Sequence, residues 1–95
     1  MDIKGQMLNV RRALDAAGHT RNDGQGGYEL SVDEGKVTVR HILRPGETRQ
    51  LRYKVVRKYA WALEDAGYGV EIVGLADGAS RLIVQRGPSV AASGA

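Results

Sequence analysis

Apolar residues recur along the first seventeen positions at the spacing of a single helix face. The recurring positions are Ile3, Met7, Val10, Leu14 and Ala17. Steps of three and four residues match the 3.6-residue turn of an amphipathic helix. Asp2 is a candidate N-cap, and Gly18 tolerates the positive φ of a helix stop. The pattern therefore predicts a first helix over residues 2–17.

Two stretches in which apolar and polar residues alternate follow a polar, glycine-rich connector. The connector spans residues 19–27 (HTRNDGQGG) and is predicted to be mobile, because it contains no apolar side chain. Residues 28–32 and 37–43 alternate as half-buried strands around a short turn with Gly35, which predicts a β-hairpin. The side chains expected to point inward are Tyr28, Leu30, Val32, Val37, Val39, His41 and Leu43.

A second helix is predicted from Glu47 or Thr48 to Ala66, after Pro45 ends the strand. At about 100° per residue, its apolar positions share one arc, which should face the core: Leu51, Val55, Tyr59, Ala62, Leu63 and Ala66. The opposite arc is polar and aromatic: Tyr53, Lys54, Arg57, Lys58, Trp61 and Glu64. Arg52 lies between the two arcs, where its aliphatic stem can cover apolar surface.

A second hairpin is predicted from residues 70–75 and 81–86, with Asp77-Gly78 as the turn signal. The segments 13–19 (ALDAAGH) and 62–68 (ALEDAGY) are alike, and each closes a helix that precedes a hairpin. This likeness fits either a duplicated unit or two helix ends of similar chemistry. The chain is therefore predicted to adopt an α+β fold of two α-β-β units, αββαββ, with one four-stranded antiparallel sheet and both helices on one face.

One face of such a sheet stays open. We assign residues 1–87 to a single α+β domain, which is an ordinary size for one core, and expect residues 88–95 to form a disordered C-terminal tail. Four apolar side chains are predicted on the open face: Ile42, Val73, Leu75 and Ile83. Because an exposed apolar patch commonly marks a partner surface, these residues are a candidate interface for a homodimer or another protein.

Composition narrows the classes of function. Of the 95 residues, 42% are hydrophobic and 26% are charged, which is typical of a globular rather than a disordered chain. The absence of Cys excludes disulfides and thiolate metal ligands. No apolar run approaches the ~18 residues of a membrane span, so we expect a cytoplasmic protein with no membrane partner. Frequent Arg, Ala, Gly and Val indicate a GC-rich coding genome, which would suit an actinobacterium or one of its phages.

Positive charge is concentrated in residues 40–58. This stretch contains seven of the 14 Lys and Arg residues and one of the 11 acidic residues, a charge of +6, which leaves −3 for the rest of the chain. Such a local concentration is typical of a surface that binds an anionic partner. The candidate nucleic-acid-binding residues are Arg40, Arg44, Arg49, Arg52, Tyr53, Lys54, Arg57, Lys58 and Trp61.

The side chains that commonly perform catalysis do not form a recognisable set. His19 in the connector and His41 on a strand are too few for a metal site, and His41 is expected to be a hydrogen-bonded core residue. The serines lie in a strand, a turn and the tail, with no nucleophile signature around them. We therefore expect no catalytic residue, no metal and no cofactor, in a protein that is not an enzyme.

One run of residues resembles a known family. The 26 residues from Ala16-Ala-Gly-His through GGYELSVDEGKVTVRH resemble the HicA-type toxins, small ribonucleases with a fold like that of double-stranded-RNA-binding domains. In that family a catalytic His follows a Gly-Ser at the first strand. The matching position here is Tyr28 after Gly27, so the resemblance does not imply nuclease activity.

The sequence is therefore interpreted as a non-enzymatic binding module. Its basic second helix, with Arg40 and Arg44, is expected to contact the backbone of DNA or RNA. Arg and Lys neutralise phosphates with release of counterions, and Tyr or Trp can stack on bases. Two alternatives stay open: a protein-interaction or regulatory module, since Arg and Trp are favoured at protein hot spots, and a cationic helix face that is only solvated.

Overall fold

The chain folds into two helices and one four-stranded sheet. A computed structural model describes residues 3–74 and 80–87. The elements are α1 (Ile3–Ala16), β1 (Gly27–Asp33), β2 (Lys36–Ile42), α2 (Arg49–Asp65), β3 (Gly69–Val73) and β4 (Arg81–Arg86). All paired strands are antiparallel, so the predicted α+β architecture αββαββ is confirmed.

The two hairpins meet along β2 and β4, which gives the strand order β1-β2-β4-β3. Val39 faces Leu82 across this junction, and Arg40 faces Arg81. Four apolar residues of the two central strands, all on the face toward the helices, are almost completely buried: Val37, Val39, Leu82 and Val84. The strands with the most deeply buried side chains thus occupy the positions with a neighbour on each side.

Both helices cover the same face of the sheet. Their buried residues join those of the strands in one core cluster: Val10, Leu14, Val56, Tyr59, Ala60 and Leu63. Burial of an aliphatic side chain contributes roughly 1.5–3 kcal/mol, so this cluster is the main attachment of the helices to the sheet. The opposite face of the sheet is covered by neither helix.

The buried face of α2 is rotated relative to the predicted arc. Val56 and Ala60, which the periodicity left out, are buried. Ala66, which it placed inward, is exposed at the helix C-cap. The rotation agrees with the position of Tyr59, whose hydroxyl reaches the buried His41. The other members of the predicted arc are half-buried, except for the buried Leu63: Leu51, Val55 and Ala62.

Three further residues differ from their predicted burial. Val32 is 46% exposed, because it lies near the end of β1, an edge strand with a neighbour on one side only. Leu43 follows the last residue of β2 and is half-buried, and Ala17 is exposed in the turn after α1. Alternation predicts which face a side chain takes, but the extent of the covering helices decides how deeply it is buried.

The glycine-rich connector is tied to β1 by hydrogen bonds, whereas its composition predicts a mobile segment. The Asn22 side-chain oxygen accepts bonds from the backbone N–H groups of Gly24 and Gly26, both at 3.0 Å. The Tyr28 N–H donates to the Thr20 carbonyl at 3.0 Å, and the Asn22 N–H donates to the Tyr28 carbonyl at 2.8 Å. Side-chain and backbone hydrogen bonds thus hold a segment that has no apolar residue.

Several predicted features lie outside the described residues. They are the N-cap Asp2, the apolar Leu75, the turn Asp77-Gly78 and the tail over residues 88–95. Among the residues that are described, no helix has the length and apolar character needed to cross a membrane.

A pair of glycines tests the close approach of the connector to β1. Both Gly24 and Gly27 have a positive φ angle, 108° and 132° respectively. Their surroundings differ: a Cβ atom at Gly27 would lie 2.5 Å from the Thr20 carbonyl oxygen, whereas a Cβ atom at Gly24 would have no neighbour within 4 Å. We expect Gly24→Ala to lower the free energy of unfolding by about 1–2 kcal/mol, because of its backbone conformation. Gly27→Ala should cost at least about 2 kcal/mol more, since the connector must move. Urea denaturation measures both variants, and equal losses would contradict this role of Gly27.

Candidate nucleic-acid interface

The centre of the candidate interface is Arg57, whose guanidinium lies between two aromatic rings on α2. Its central carbon is 5.8 Å from the centroid of the Tyr53 ring and 5.0 Å from that of Trp61. Because the three residues are four apart, they lie on successive turns of one helix face. Cation–π attraction contributes roughly 0.5–1 kcal/mol at such exposed sites and restrains the Arg57 side chain. Trp61 is still 52% exposed, so much of its ring is accessible to a partner.

Further cations surround Arg57. Lys54 and Lys58 are exposed, and within the described part of the chain neither forms an ion pair. Arg49 is exposed at the first turn of α2, whereas the acids of this helix, Glu64 and Asp65, lie at its last turn. We call the following set the α2 stripe: Arg49, Tyr53, Lys54, Arg57, Lys58 and Trp61.

Three of the predicted nucleic-acid-binding residues lie elsewhere. Arg40 is on the open face of the sheet, where it forms a salt bridge of 2.9 Å with Glu29. Arg44 lies between β2 and α2 and donates a hydrogen bond to the Thr20 hydroxyl. Arg52 lies on the buried side of α2 and is half-buried. The structure thus brings six of the nine residues together, whereas Arg40 and Arg44, which were expected to act with the second helix, lie apart from them.

The open face of the sheet is mostly polar among the described residues. One row of side chains crosses all four strands: Ser31, Thr38, Ile83 and Glu71. Gln85 donates to Glu71 at 2.7 Å and accepts a hydrogen bond from Lys36. The described candidate interface residues are half-buried: Ile42, Val73 and Ile83. Polar or charged partners flank Val73 and Ile83 on the neighbouring strands, and the proposed interface stays a prediction.

A second polar constellation is buried beneath the start of α2. His41 Nδ1 lies 2.7 Å from the Tyr59 hydroxyl, and His41 Nε2 lies 3.0 Å from Glu47 Oε1. Glu47 Oε1 also accepts the Arg44 backbone N–H at 2.6 Å. His41 is 4% exposed and Tyr59 2% exposed. The prediction that His41 is a hydrogen-bonded core residue is confirmed.

The Glu47 carboxylate determines how protons are arranged in this constellation. An ionised carboxylate only accepts hydrogen bonds, so His41 donates from Nε2. In the neutral imidazole Nδ1 is then an acceptor, and it receives the Tyr59 O–H. The Arg44 backbone N–H holds the pKa of Glu47 below its ordinary value, and the bond from His41 acts in the same direction. Burial raises the pKa of Tyr59, so its phenol stays neutral.

Carboxylate, imidazole and hydroxyl in series are the groups of an acyl-transfer triad, but this series ends inside the core. The ring of His19 lies 4.8 Å from the Tyr59 ring and that of Tyr28 lies 6.1 Å from it, both edge-on. These rings and the surrounding core bury the Tyr59 side chain, which is 2% exposed. The constellation instead attaches the start of α2 to β2, and so orients the α2 stripe.

The aromatic cluster around Tyr59 continues to α1. Tyr28 donates its hydroxyl proton to Asp15 at 2.5 Å, and Asp15 forms a salt bridge of 3.3 Å with Arg21. Burial raises the pKa of Tyr28, and the hydrogen bond to Asp15 raises it further. Burial also lowers the pKa of His19, although its ring bonds to the Lys58 backbone. These contacts connect both helices and the connector to one aromatic centre.

Sequence patterns did not identify Glu47 or His19 as neighbours of the His41–Tyr59 pair. Both lie in segments that reverse the chain, and hydrophobic periodicity carries no information on where such a segment directs a polar side chain. The available signal was indirect, because a buried His41 with two ring nitrogens requires partners for both.

No protein-family model, curated protein or solved structure matches this chain. The resemblance to the HicA-type toxins accordingly rests on the residues of the sequence alone. The described surfaces of the molecule are therefore the basis for its proposed function.

Replacement of Glu47 tests whether the buried constellation stabilises the fold. Because the pKa of Glu47 is lowered in the folded state, its carboxylate stabilises the fold above the unfolded pKa, and this contribution is lost as the pH falls through the lowered value. Glu47→Gln should cost about 1 kcal/mol at neutral pH. It should also reduce the loss of stability below the ordinary Glu pKa of 4.5. Thermal unfolding followed by circular dichroism across this pH range measures both effects.

The matched control is Glu64→Gln, which removes an exposed acid near the end of α2. We expect this variant to keep the stability of the wild-type chain and its pH dependence. Equal behaviour of the two variants would show that Glu47 makes no special contribution.

Proposed function

We propose that this protein is a non-enzymatic binding module that contacts the phosphate backbone of nucleic acid through the α2 stripe. The observation that carries the proposal is the Arg57 guanidinium held between Tyr53 and Trp61 on an exposed helix face. Cations neutralise phosphates, and accessible aromatic rings stack on bases. A surface that combines both suits a polyanion that also carries bases.

The dimensions of the α2 stripe support a contact with several phosphates. The twelve steps from Arg49 to Trp61 extend along about 18 Å of helix axis. One DNA strand presents about five phosphates over the same length. The stripe carries four cations, Arg49, Lys54, Arg57 and Lys58, so their number is comparable to that of the phosphates within reach.

The side chains of the stripe favour affinity over sequence readout. The Arg57 side chain is already restrained by two rings, so binding orders it less than it would a free arginine. Lys54 and Lys58 act as point charges toward phosphates. Contacts to phosphates carry no direct sequence information. We therefore expect binding with little sequence preference.

A protein partner is the second candidate function, and the exposure of Trp61 favours it. Trp and Arg are enriched at the centres of protein–protein interfaces, and Trp61 lies beside Arg57 on the surface. The α2 stripe would then bind an acidic surface of another protein, in a regulatory role that would suit a phage or mobile element. A homodimer through the open sheet face belongs to the same class.

We expect binding to DNA or RNA to weaken steeply with salt. Arg57→Gln should reduce the steepness of the logarithmic salt dependence by about one unit, because one phosphate contact is lost. Its affinity should fall roughly fivefold or more at low salt, since a charge-assisted contact contributes about 1 kcal/mol or more. Fluorescence anisotropy with duplex and single-stranded DNA and RNA, from about 50 to about 200 mM salt, measures both.

The matched control is Arg12→Gln, which removes one positive charge outside the α2 stripe. Arg12 is exposed on α1. Its replacement should leave the salt dependence of binding as in the wild-type chain. An equal effect of the two variants would indicate net charge rather than a site. Absence of binding by the wild-type chain at about 50 mM salt would remove the proposal.

Trp61→Ala distinguishes a nucleic acid from a protein partner. Bases of a duplex are already stacked, so we expect duplex affinity to change less than about threefold, and single-strand affinity to fall about tenfold. At a protein hot spot the same change should cost roughly thirtyfold or more. Calorimetry with a partner protein captured from the host, beside anisotropy with oligonucleotides, measures the two losses.

A further inference from the structure

Two arginines face each other on the central strands of the sheet. Arg40 of β2 and Arg81 of β4 are direct cross-strand partners, so their side chains emerge on the same face from Cα atoms about 5 Å apart. Like charges in directly opposite positions destabilise a sheet. Glu29 pairs with Arg40, but within the described residues no carboxylate lies within 4.0 Å of Arg81. The arrangement is thus unfavourable for stability, which is typical of positions that serve a function.

The two arginines border a cavity of about 550 Å³ on the open face. This volume is within the range of small-molecule sites. Arg52, in the first turn of α2, and the buried His41 are also among the residues that line it. Thr38, which is 3% exposed, lines it as well. We call the facing pair of Arg40 and Arg81 the arginine site.

Among the described residues, acidic groups only partly offset the charge of the arginine site. Glu29 neutralises Arg40. Asp33 also lines the cavity, but it faces Lys36 across the hairpin, and Lys36 is four residues, about 14 Å, from Arg40 along β2. Glu71 bonds to Gln85. Within this described part of the chain, no carboxylate within 4.0 Å therefore offsets the positive charge that Arg81 brings to the cavity.

Two arginines in directly opposite positions on neighbouring strands favour a compact anion with more than one charge. The planar fork of Arg matches the oxygens of phosphate or carboxylate in bidentate geometry. A phosphate monoester carries about −1.5 to −2 charges at neutral pH, enough to offset the repulsion between Arg40 and Arg81. Ile42, half-buried in the cavity lining, adds apolar surface for the body of a ligand. We propose that the arginine site binds the phosphate group of a small phosphorylated molecule.

This site is distinct from the α2 stripe. Arg40 and Arg81 lie on the sheet face that neither helix covers, whereas Arg57 lies on the outer surface of α2. The two surfaces therefore point in different directions and are tested separately. Failure of nucleic-acid binding would leave the arginine site intact, and the reverse also holds.

Titration with phenyl phosphate and inorganic phosphate tests the site directly. We expect saturable changes in the amide NMR signals of Thr38, Arg40 and Arg81 at lower probe concentrations than any change at Arg57, with ionic strength held constant by chloride. Phenyl phosphate should bind at least as tightly as inorganic phosphate, because its ring can contact Ile42. Tighter binding of inorganic phosphate, or equal changes with succinate as a dicarboxylate probe, would overturn the assignment to a phosphorylated molecule. So would changes spread evenly over both surfaces.

Arg81→Gln separates a binding role from a structural one. We expect its dissociation constant for phenyl phosphate to rise about tenfold or more. Its melting temperature without the probe should equal or exceed that of the wild-type chain, because the like-charge pair is removed. The increase in melting temperature on adding phenyl phosphate should be lost in Arg81→Gln and kept in the control Arg12→Gln, which removes an exposed arginine of α1.

Arg40→Gln provides a second variant if Arg81→Gln folds poorly. Its salt bridge to Glu29 is exposed, and such pairs contribute little stability, so the variant should stay folded and lose the same affinity. Unchanged phenyl phosphate binding in a folded Arg40→Gln or Arg81→Gln variant would overturn the proposal.

Discussion

The hydrogen bond between Tyr59 and His41 is the contact on which the arrangement of this molecule depends. Both partners are buried, and a buried polar group that loses its partner costs roughly 1–3 kcal/mol. Glu47 holds the other nitrogen of His41, so the imidazole links the turn before α2 to the middle of that helix. This contact restricts the rotation of α2 about its own axis to a narrow range. That rotation directs Val56 and Ala60 to the core and Arg57 and Trp61 to the surface.

The basic residues described above lie on two separate surfaces. The α2 stripe is exposed, and its cations lie along one helix, which suits an extended polyanion. The arginine site, formed by two facing arginines of the sheet, borders a cavity that Arg52 also lines. Charges in exposed positions are screened by salt more strongly than partly enclosed ones. The two surfaces should therefore differ in salt dependence as well as in ligand size.

Much of the fold was predictable because its signals are local. The alternation around Thr38 and Val39 placed the two side chains on opposite faces, and Gly18 and Gly67 marked the ends of both helices. Alternation also identified His41 as inward. Its partner Glu47 was not predictable, since that contact requires the chain to reverse at Pro45. The burial of Val56 was also missed. Along α2, Val, Leu, Tyr and Ala alternate with Arg and Lys, so several neighbouring directions fit the apolar pattern equally well. The pattern alone therefore does not decide which of them faces the core.

The sequence by itself determined the order of elements, the face of each strand residue and the concentration of positive charge in residues 40–58. These properties follow from the two-residue and 3.6-residue periods of the backbone, which any stretch of chain carries without its neighbours. Only the tertiary structure decided that Arg40 meets Arg81, that Arg52 turns away from the α2 stripe, and that Asn22 holds the connector to β1. Each of these depends on strand order, helix rotation or chain reversal, and all three arise from packing between segments distant in sequence.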